Sequence, residues 1–453
     1  MKTFLRTLLA LAVLGLIALA AFIFIPVQRS KPAQPLPADW QAEAGQGEYV
    51  FHAADCVACH TADDGERLAG GRAIESDMGT IWSSNITPDD ETGIGTWSYD
   101  DFRAAMVDGI AEDGTHLYPA MPYENYRLMK EEDLRALYDY LMTEVTPVKN
   151  APPETALNFP FNMRFGIRAW NWLALTGEPS VIPLSTADPQ SAEAQARGQY
   201  LVEGPGHCAA CHSPRTALMM QDGVRAQEDG FLTGGVINHW NAPALRGAGS
   251  AAQKWSTAEL AAYLATGRNA HSTANGEMGL VVEHSLQYLS DEDILAMAAF
   301  LKGVDGEAVE VPAEVAPLDA GAITPLAADA AGAETAKMLT EAMPDMPLGA
   351  RLYLDNCVGC HFASGKGAPE IFPELAGNSL VTGSEVTPLI SIILNGAEVA
   401  PTAKRPMSLR MQGYADRLSD EEIAELTTFL RSAWGNSAPA VSAQDVKNQR
   451  AAQ

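Results

Sequence analysis

The chain has 453 residues, 47% hydrophobic and 19% charged, an ordinary globular balance at a length that suggests about three domains. Its 30 Lys and Arg against 57 Asp and Glu give a formal charge of −27, which argues against nucleic-acid backbone or an anionic lipid surface as a partner. Six cysteines are too few for a disulfide-built scaffold, so their placement matters more than their number.

Residues 1–36 come first as an anchor or signal segment. Thr7 to Val27 carries no charge, and a helix of that length is about 30 Å long, one bilayer core. A cleaved signal peptide would use Ala18-Leu19-Ala20, but cleavage there leaves Phe22-Ile23-Phe24-Ile25 as a greasy new N-terminus. An uncleaved single-pass anchor is the better expectation. Either way, the remainder is expected outside the cytoplasm, with no other stretch long and apolar enough to span.

Three units follow, each built on one motif: Cys56-Val57-Ala58-Cys59-His60, Cys208-Ala209-Ala210-Cys211-His212 and Cys357-Val358-Gly359-Cys360-His361. C-x-x-C-H is the attachment signature of c-type haem. Two cysteines three apart lie on one side of a helical turn, where both sulfurs reach the vinyl groups of one porphyrin edge. The adjacent histidine then sits under the iron. Zinc would need pairs converging on one ion, and a thioredoxin-like site has no use for the histidine. Three copies that consume every cysteine imply three covalent haem c groups.

The first unit is expected over 37–150, the second over 191–303 and the third over 346–436. Each opens on a Gly-led amphipathic stretch (Gly47, Gly198, Gly349) and closes on a helix with acidic residues in its first turn. These helices start at Glu131, Asp291 and Asp420, the last two behind serine N-caps, Ser290 and Ser419. An inner helix, Trp97-Ser98 matching Trp255-Ser256, runs to Gly109 and Gly267 in the first two units. Asp101 and Glu259 stand at matching positions there and read as helix surface, not acid and base. Between the units lie a Pro-rich strap, 151–190, leading into Trp170 and Trp172, and an Ala/Glu/Pro-rich linker, 304–345. Residues 437–453 read as a frayed tail.

A methionine as sixth ligand would make a closed electron-transfer haem of raised potential. Met121, between Pro119 and Pro122, is the candidate in the first unit, and Met278, in what reads as an exposed glycine loop, in the second. In the third, Met407 follows Gly396 by 11 residues, as Met278 follows Gly267. Met411, however, precedes Leu418 by 7, as Met121 precedes Leu128, and is favoured. The axial set is therefore His60, Met121, His212, Met278, His361 and Met411. Of the other histidines, His52, His116, His207, His239, His271 and His284, those nearest the motifs (His116, His207) read as packing residues.

The runs Asn85-Ile86-Thr87-Pro88-Asp89, Thr92-Gly93-Ile94-Gly95 and Leu117-Tyr118-Pro119-Ala120-Met121-Pro122-Tyr123 carry a family resemblance, as do Val282-Glu283-His284-Ser285 and Ser432-Ala433-Trp434-Gly435-Asn436. The chain resembles the tri-haem cytochrome c subunit of bacterial membrane-bound dehydrogenases over about residues 40–436. The resemblance implies a mainly α fold of three tandem cytochrome c-type haem domains on an N-terminal transmembrane segment. It implies a subunit with no substrate chemistry of its own, on the periplasmic side of the inner membrane. Electrons would come from a quinoprotein, flavoprotein or molybdoprotein large subunit, with a small third subunit as a further partner, and leave to ubiquinone or another cytochrome. Two departures stand out: Gln412 replaces the usual proline after the third axial methionine, and the apolar segment is at the start, not near the C-terminus. A free-standing or oxidase-linked relay is the main alternative, and a multihaem peroxidase the lesser one, since each unit offers a methionine to close its iron.

Overall fold

The computed structural model describes residues 2–25, 27–76, 78–177, 179–183, 192–237, 240–306, 309–312 and 328–451. The boundary between strap and second unit (184–191), most of the expected linker (313–327) and His239 lie outside the described residues. The chain is mainly helical. Its buried side chains gather in three clusters, one around each Cys-x-x-Cys-His motif.

Helix α1 (Lys2–Phe24) is apolar, with mean hydropathy 2.3 over Phe4–Ile23; it is exposed over 4–18 and half-buried over 21–23. Past it, the Arg29 guanidinium meets Asp101 at 2.5 Å, and the backbone N–H of Ser30 donates to Asp108 at 2.9 Å. The segment just past α1 is thus tied to the first unit directly.

That unit holds α2 (Gln46–Ala53), the motif helix α3 (Cys56–His60), α4 (Tyr99–Asp108), the short α5 (Tyr123–Tyr126) and the closing α6 (Glu131–Thr143). A ribbon of β1 (Ala73–Ser76) and β2 (Gly79–Trp82) lies between α3 and α4, and β3 (Ala156–Leu157) of the strap adds a third antiparallel strand. The strap then forms α7 (Phe165–Ala174). In the second unit α8 (Ala192–Glu203) leads to the motif helix α9 (Ala209–His212) and the ribbon β4 (Gly235–Ile237)–β5 (Trp240–Ala242). Then come α10 (Ala251–Lys254), α11 (Thr257–Thr266), α12 (Glu277–His284) and the closing α13 (Asp291–Gly303).

The expected linker contains α14 (Ala333–Glu341), whose Leu339 joins the third core. After it come α15 (Leu348–Asn356), the motif helix α16 (Val358–His361), α17 (Ser379–Thr382), α18 (Thr387–Asn395), the ribbon β6 (Gly396–Val399)–β7 (Leu409–Gln412) and the closing α19 (Asp420–Ser432). The tail expected to fray instead forms α20 (Ala443–Ala451). Val446 is fully buried, and Arg450 pairs with Asp420 and donates to the carbonyls of Ala415 and Leu418. One apolar residue in a polar run gives no helical periodicity to read, but three charge-assisted bonds fix the segment.

The same crossing builds each core. A β-carbon on Gly47, Gly198 or Gly349 would stand 2.4, 1.9 or 2.2 Å from the carbonyl oxygen of Ala136, Ala296 or Glu425 on the closing helix. Tyr140, Phe300 and Phe429 occupy the next turn of each closing helix at the same place. Only glycine lets the two backbones come that close. Ser98, Ser256 and Ser419 each form a reciprocal capping box, with Asp101, Glu259 and Glu422, which is the role those acids play. Gly109 and Gly267 end their helices in the left-handed region, φ 62° and 71°.

Candidate haem-binding sites

Each motif presents its histidine in the same way. Nδ1 of His60 lies 2.7 Å from the Ser84 carbonyl oxygen, that of His212 2.7 Å from Pro243, and that of His361 3.1 Å from Pro373. A carbonyl can only accept, so Nδ1 carries the proton and Nε2 keeps its lone pair free for a metal. Burial lowers the pKa of all three imidazoles, against the carbonyl bond, and so favours this neutral ligating form.

Burial also pushes the thiols of Cys59, Cys208 and Cys357 up to about 12 and that of Cys211 up to about 11. They remain thiols near neutral pH. Among the described residues no three His, Cys, Asp or Glu converge as a metal donor set.

The second and third motifs open into one continuous cavity of about 1910 Å³. A single small-molecule site takes roughly 300–1,000 Å³, so this space is of the size for two large groups. Cys208, Cys211, His212 and Met278 line it from the second unit, and Cys357, Cys360, His361 and Met411 from the third. Donor set, apolar walls and volume all fit haem c. Met411 is half-buried on β7 against the third core, whereas Met407 is 74% exposed. Met278 is not in an open loop: Gly276 starts α12, and Met278 packs on the second core from the first turn. The indole of Trp240 fills the place a side chain on Gly276 would take, 2.6 Å from its ideal β-carbon. Met121 packs on the first core beside Cys56, in a turn between its prolines.

The first two units face each other across an approximate twofold axis. The Tyr49 hydroxyl donates to Asp293 at 2.5 Å and the Tyr200 hydroxyl to Asp133 at 2.5 Å, the same repeat positions exchanged. Two arginines make comparable links from different places in the repeat. Arg72 donates to the Ala58 carbonyl inside the first motif and to Glu277, beside Met278, at 3.0 Å. Arg215 donates to the Ala210 carbonyl inside the second motif at 2.6 Å and lies 3.8 Å from Glu124, three residues past Met121. Each arginine thereby links one unit's attachment motif to the other unit's candidate sixth ligand. Sequence reasoning missed both, since Arg72 lies 12 residues past His60 and Arg215 only 3 past His212, so the repeat gave no signal for them.

His271 was likewise left without a role. It holds the second and third units together, with Nδ1 3.0 Å from Glu374 and Nε2 3.3 Å from Glu259. The Glu374 carboxylate raises its pKa against the effect of burial. His207 lies half-buried and edge-on to Tyr126, at 5.5 Å, and His116 beside Asn171, both as packing residues. Burial holds His207 down at about 4, so it stays neutral.

Comparison with known proteins agrees with this geometry. The profile of the family described as cytochrome c matches residues 44–144, 195–305 and 347–434. The chain is 38% identical over 413 residues to the gluconate 2-dehydrogenase cytochrome c subunit of Pantoea cypripedii, covering 89% of each. It is 37% identical over 411 residues to the cytochrome c subunit of the quinone alcohol dehydrogenase of Gluconobacter oxydans, covering 89% of this chain and 81% of that one. With the fructose dehydrogenase cytochrome subunit of Gluconobacter japonicus it shares 38% identity over 435 residues, 93% of this chain and 86% of the relative.

Proposed function

Because the chain belongs to the cytochrome c family, among cytochrome subunits of membrane-bound dehydrogenases, we propose that it is the electron-transfer subunit of such a complex. It would carry three haem c groups and stand on the periplasmic side of the inner membrane, held by α1. It would take electrons from a quinoprotein, flavoprotein or molybdoprotein large subunit oxidising an alcohol, aldehyde or sugar. It would deliver them to ubiquinone or another cytochrome.

Bound haem supplies one-electron carriers. The chain supplies their attachment, ligation and environment. Cys56 and Cys59, Cys208 and Cys211, and Cys357 and Cys360 hold the porphyrin edges. His60, His212 and His361 ligate through Nε2, each oriented by its carbonyl acceptor. Met121, Met278 and Met411 would each offer a thioether to an iron, which would raise its potential and disfavour peroxide chemistry. Arg72 and Arg215 fix the first two sites against each other.

The observation that carries this reading is the common cavity lined by two complete sets of Cys, Cys, His and Met. The test is copurification from detergent-solubilised membranes with mass spectrometry of the partner, while candidate alcohols, aldehydes and sugars are added and the haem absorbance is followed. A copurifying dehydrogenase with substrate-driven reduction is expected. Isolation alone or with an oxidase, with no substrate reducing the haems, would leave a free-standing relay.

A further inference from the structure

The strap has two apolar faces where a surface helix needs only one. The inner face of α7 is accounted for. Ile167 and Asn171 are buried, Asn171 accepts from the Tyr123 hydroxyl at 3.0 Å, and the Trp170 indole donates to the Leu218 carbonyl at 2.7 Å. The outer face should be polar and is not. Phe165, Trp172 and Leu173 lie on it at positions i, i+7 and i+8, and Phe159, Phe161 and Met163 extend it through the preceding turn. All six are exposed, Phe159 at 77% and Trp172 at 60%. Such a contiguous patch on an acidic protein marks a contact surface.

Three observations say what covers it. The patch is where the anchor meets the folded chain: the rings of Phe22 and Trp172 pack edge to face at 5.0 Å, and Arg168 donates to the Ile25 carbonyl at 2.5 Å. The local charge is inverted. No Asp or Glu occurs between Glu154 and Glu178, and the only charges there are Arg164 and Arg168. The composition is that of an in-plane interfacial helix, aromatic and aliphatic on its outer face with arginines as its only charges. Arg168 sits over both Phe22 and Trp172, and Arg164 over Tyr118.

We propose that residues 159–173 are a second membrane contact, a strap lying in the headgroup–acyl boundary beside the exit of α1. The bilayer covers this face, and the first unit is held flat against it. Tyr123, two residues from Met121, rests on the inner side of the same helix. This rests on the reading of α1 as a membrane-embedded anchor, and the test separates the two.

The purified chain, haems attached and without partner subunits, is reconstituted in phosphatidylcholine vesicles. These contain a phosphatidylcholine with a diazirine near the glycerol end of one acyl chain, at the depth of the headgroup–acyl boundary. After irradiation, peptide mass spectrometry locates the lipid adducts. Adducts are expected both in α1 and in 159–173. Replacing Trp172→Asp together with Leu173→Asp should cut the strap adducts by roughly tenfold, given the cost of placing carboxylates in that boundary, with the α1 adducts and haem content unchanged. Adducts in α1 with none in 159–173 would overturn the proposal and give the face to a protein partner. No adducts in α1 would overturn the anchor itself, and the strap contact with it.

Discussion

A histidine whose Nδ1 proton is committed to a carbonyl can offer only Nε2, and the first ligand of each site is set by that bond. Packing separates the two methionine candidates of the third unit. Met411 lines the cavity and Met407 points to water. Met411→Ala is expected to lower one haem's midpoint potential by on the order of 0.1 V, within the ~0.8 V that axial ligation spans, with the covalent haems retained. Met407→Ala should leave a redox titration unchanged, and the reverse result would exchange the two assignments. Two buried carboxyls make a second prediction. Burial raises Glu124 and Glu203 to about 7 from the usual carboxylate range. Between that range and pH 7 the folded chain holds protons that the unfolded chain has released. Stability is therefore greatest in mild acid and declines as pH rises through this window. Denaturant midpoints measured at pH 5 and pH 8 should fall with pH, and Glu124→Gln with Glu203→Gln should flatten the difference.

Among the elements, the Gly-led helix and the closing helix carry each core. Gly198→Ala puts a β-carbon 1.9 Å from the Ala296 carbonyl oxygen, and the helices must part. A cost of about 1–3 kcal/mol is expected, typical of overpacking, read as an earlier denaturation of the second unit. An unchanged transition would mean the crossing has slack that the coordinates do not suggest. These helices were legible in the sequence because their signals are local: a glycine, a serine cap, three acids and a period of 3.6. The motif histidines were legible for the same reason. The tail helix was not, since α20 has only Val446 as an apolar anchor and owes its form to Arg450. The start of α12 was misread because Gly276 signals a loop on its own, and only the Trp240 ring above it explains the residue. The exchanged Tyr–Asp pairs join residues more than 60 positions apart and left no local trace.

For the whole molecule, the cores are walls around prosthetic groups more than self-sufficient interiors. The second and third attachment sites share one large cavity, which haem itself would fill. A haem-free preparation should therefore lose much of its helicity, because ligand binding and folding are linked. Far-UV circular dichroism checks this, and near-native helicity would show that the helices stand without the groups. The net charge of −27 gives the chain a field that disfavours self-association and favours basic partner surfaces, while the acid-free strap is the exception beside the anchor.

The shared cavity also dictates an order of manufacture. Its walls come from both sides of the 304–345 stretch: Trp240 and Leu260 from the second unit, Leu389 and Ile393 from the third. Asn241 donates to the Glu385 carbonyl at 2.7 Å, and the Glu374 N–H to the His271 carbonyl at 2.9 Å, as the seams between them. A polypeptide delivered N-terminus first completes its first two attachment motifs while this wall is still missing. The wall that the third unit gives to the second pocket is thus absent until the last third of the chain arrives.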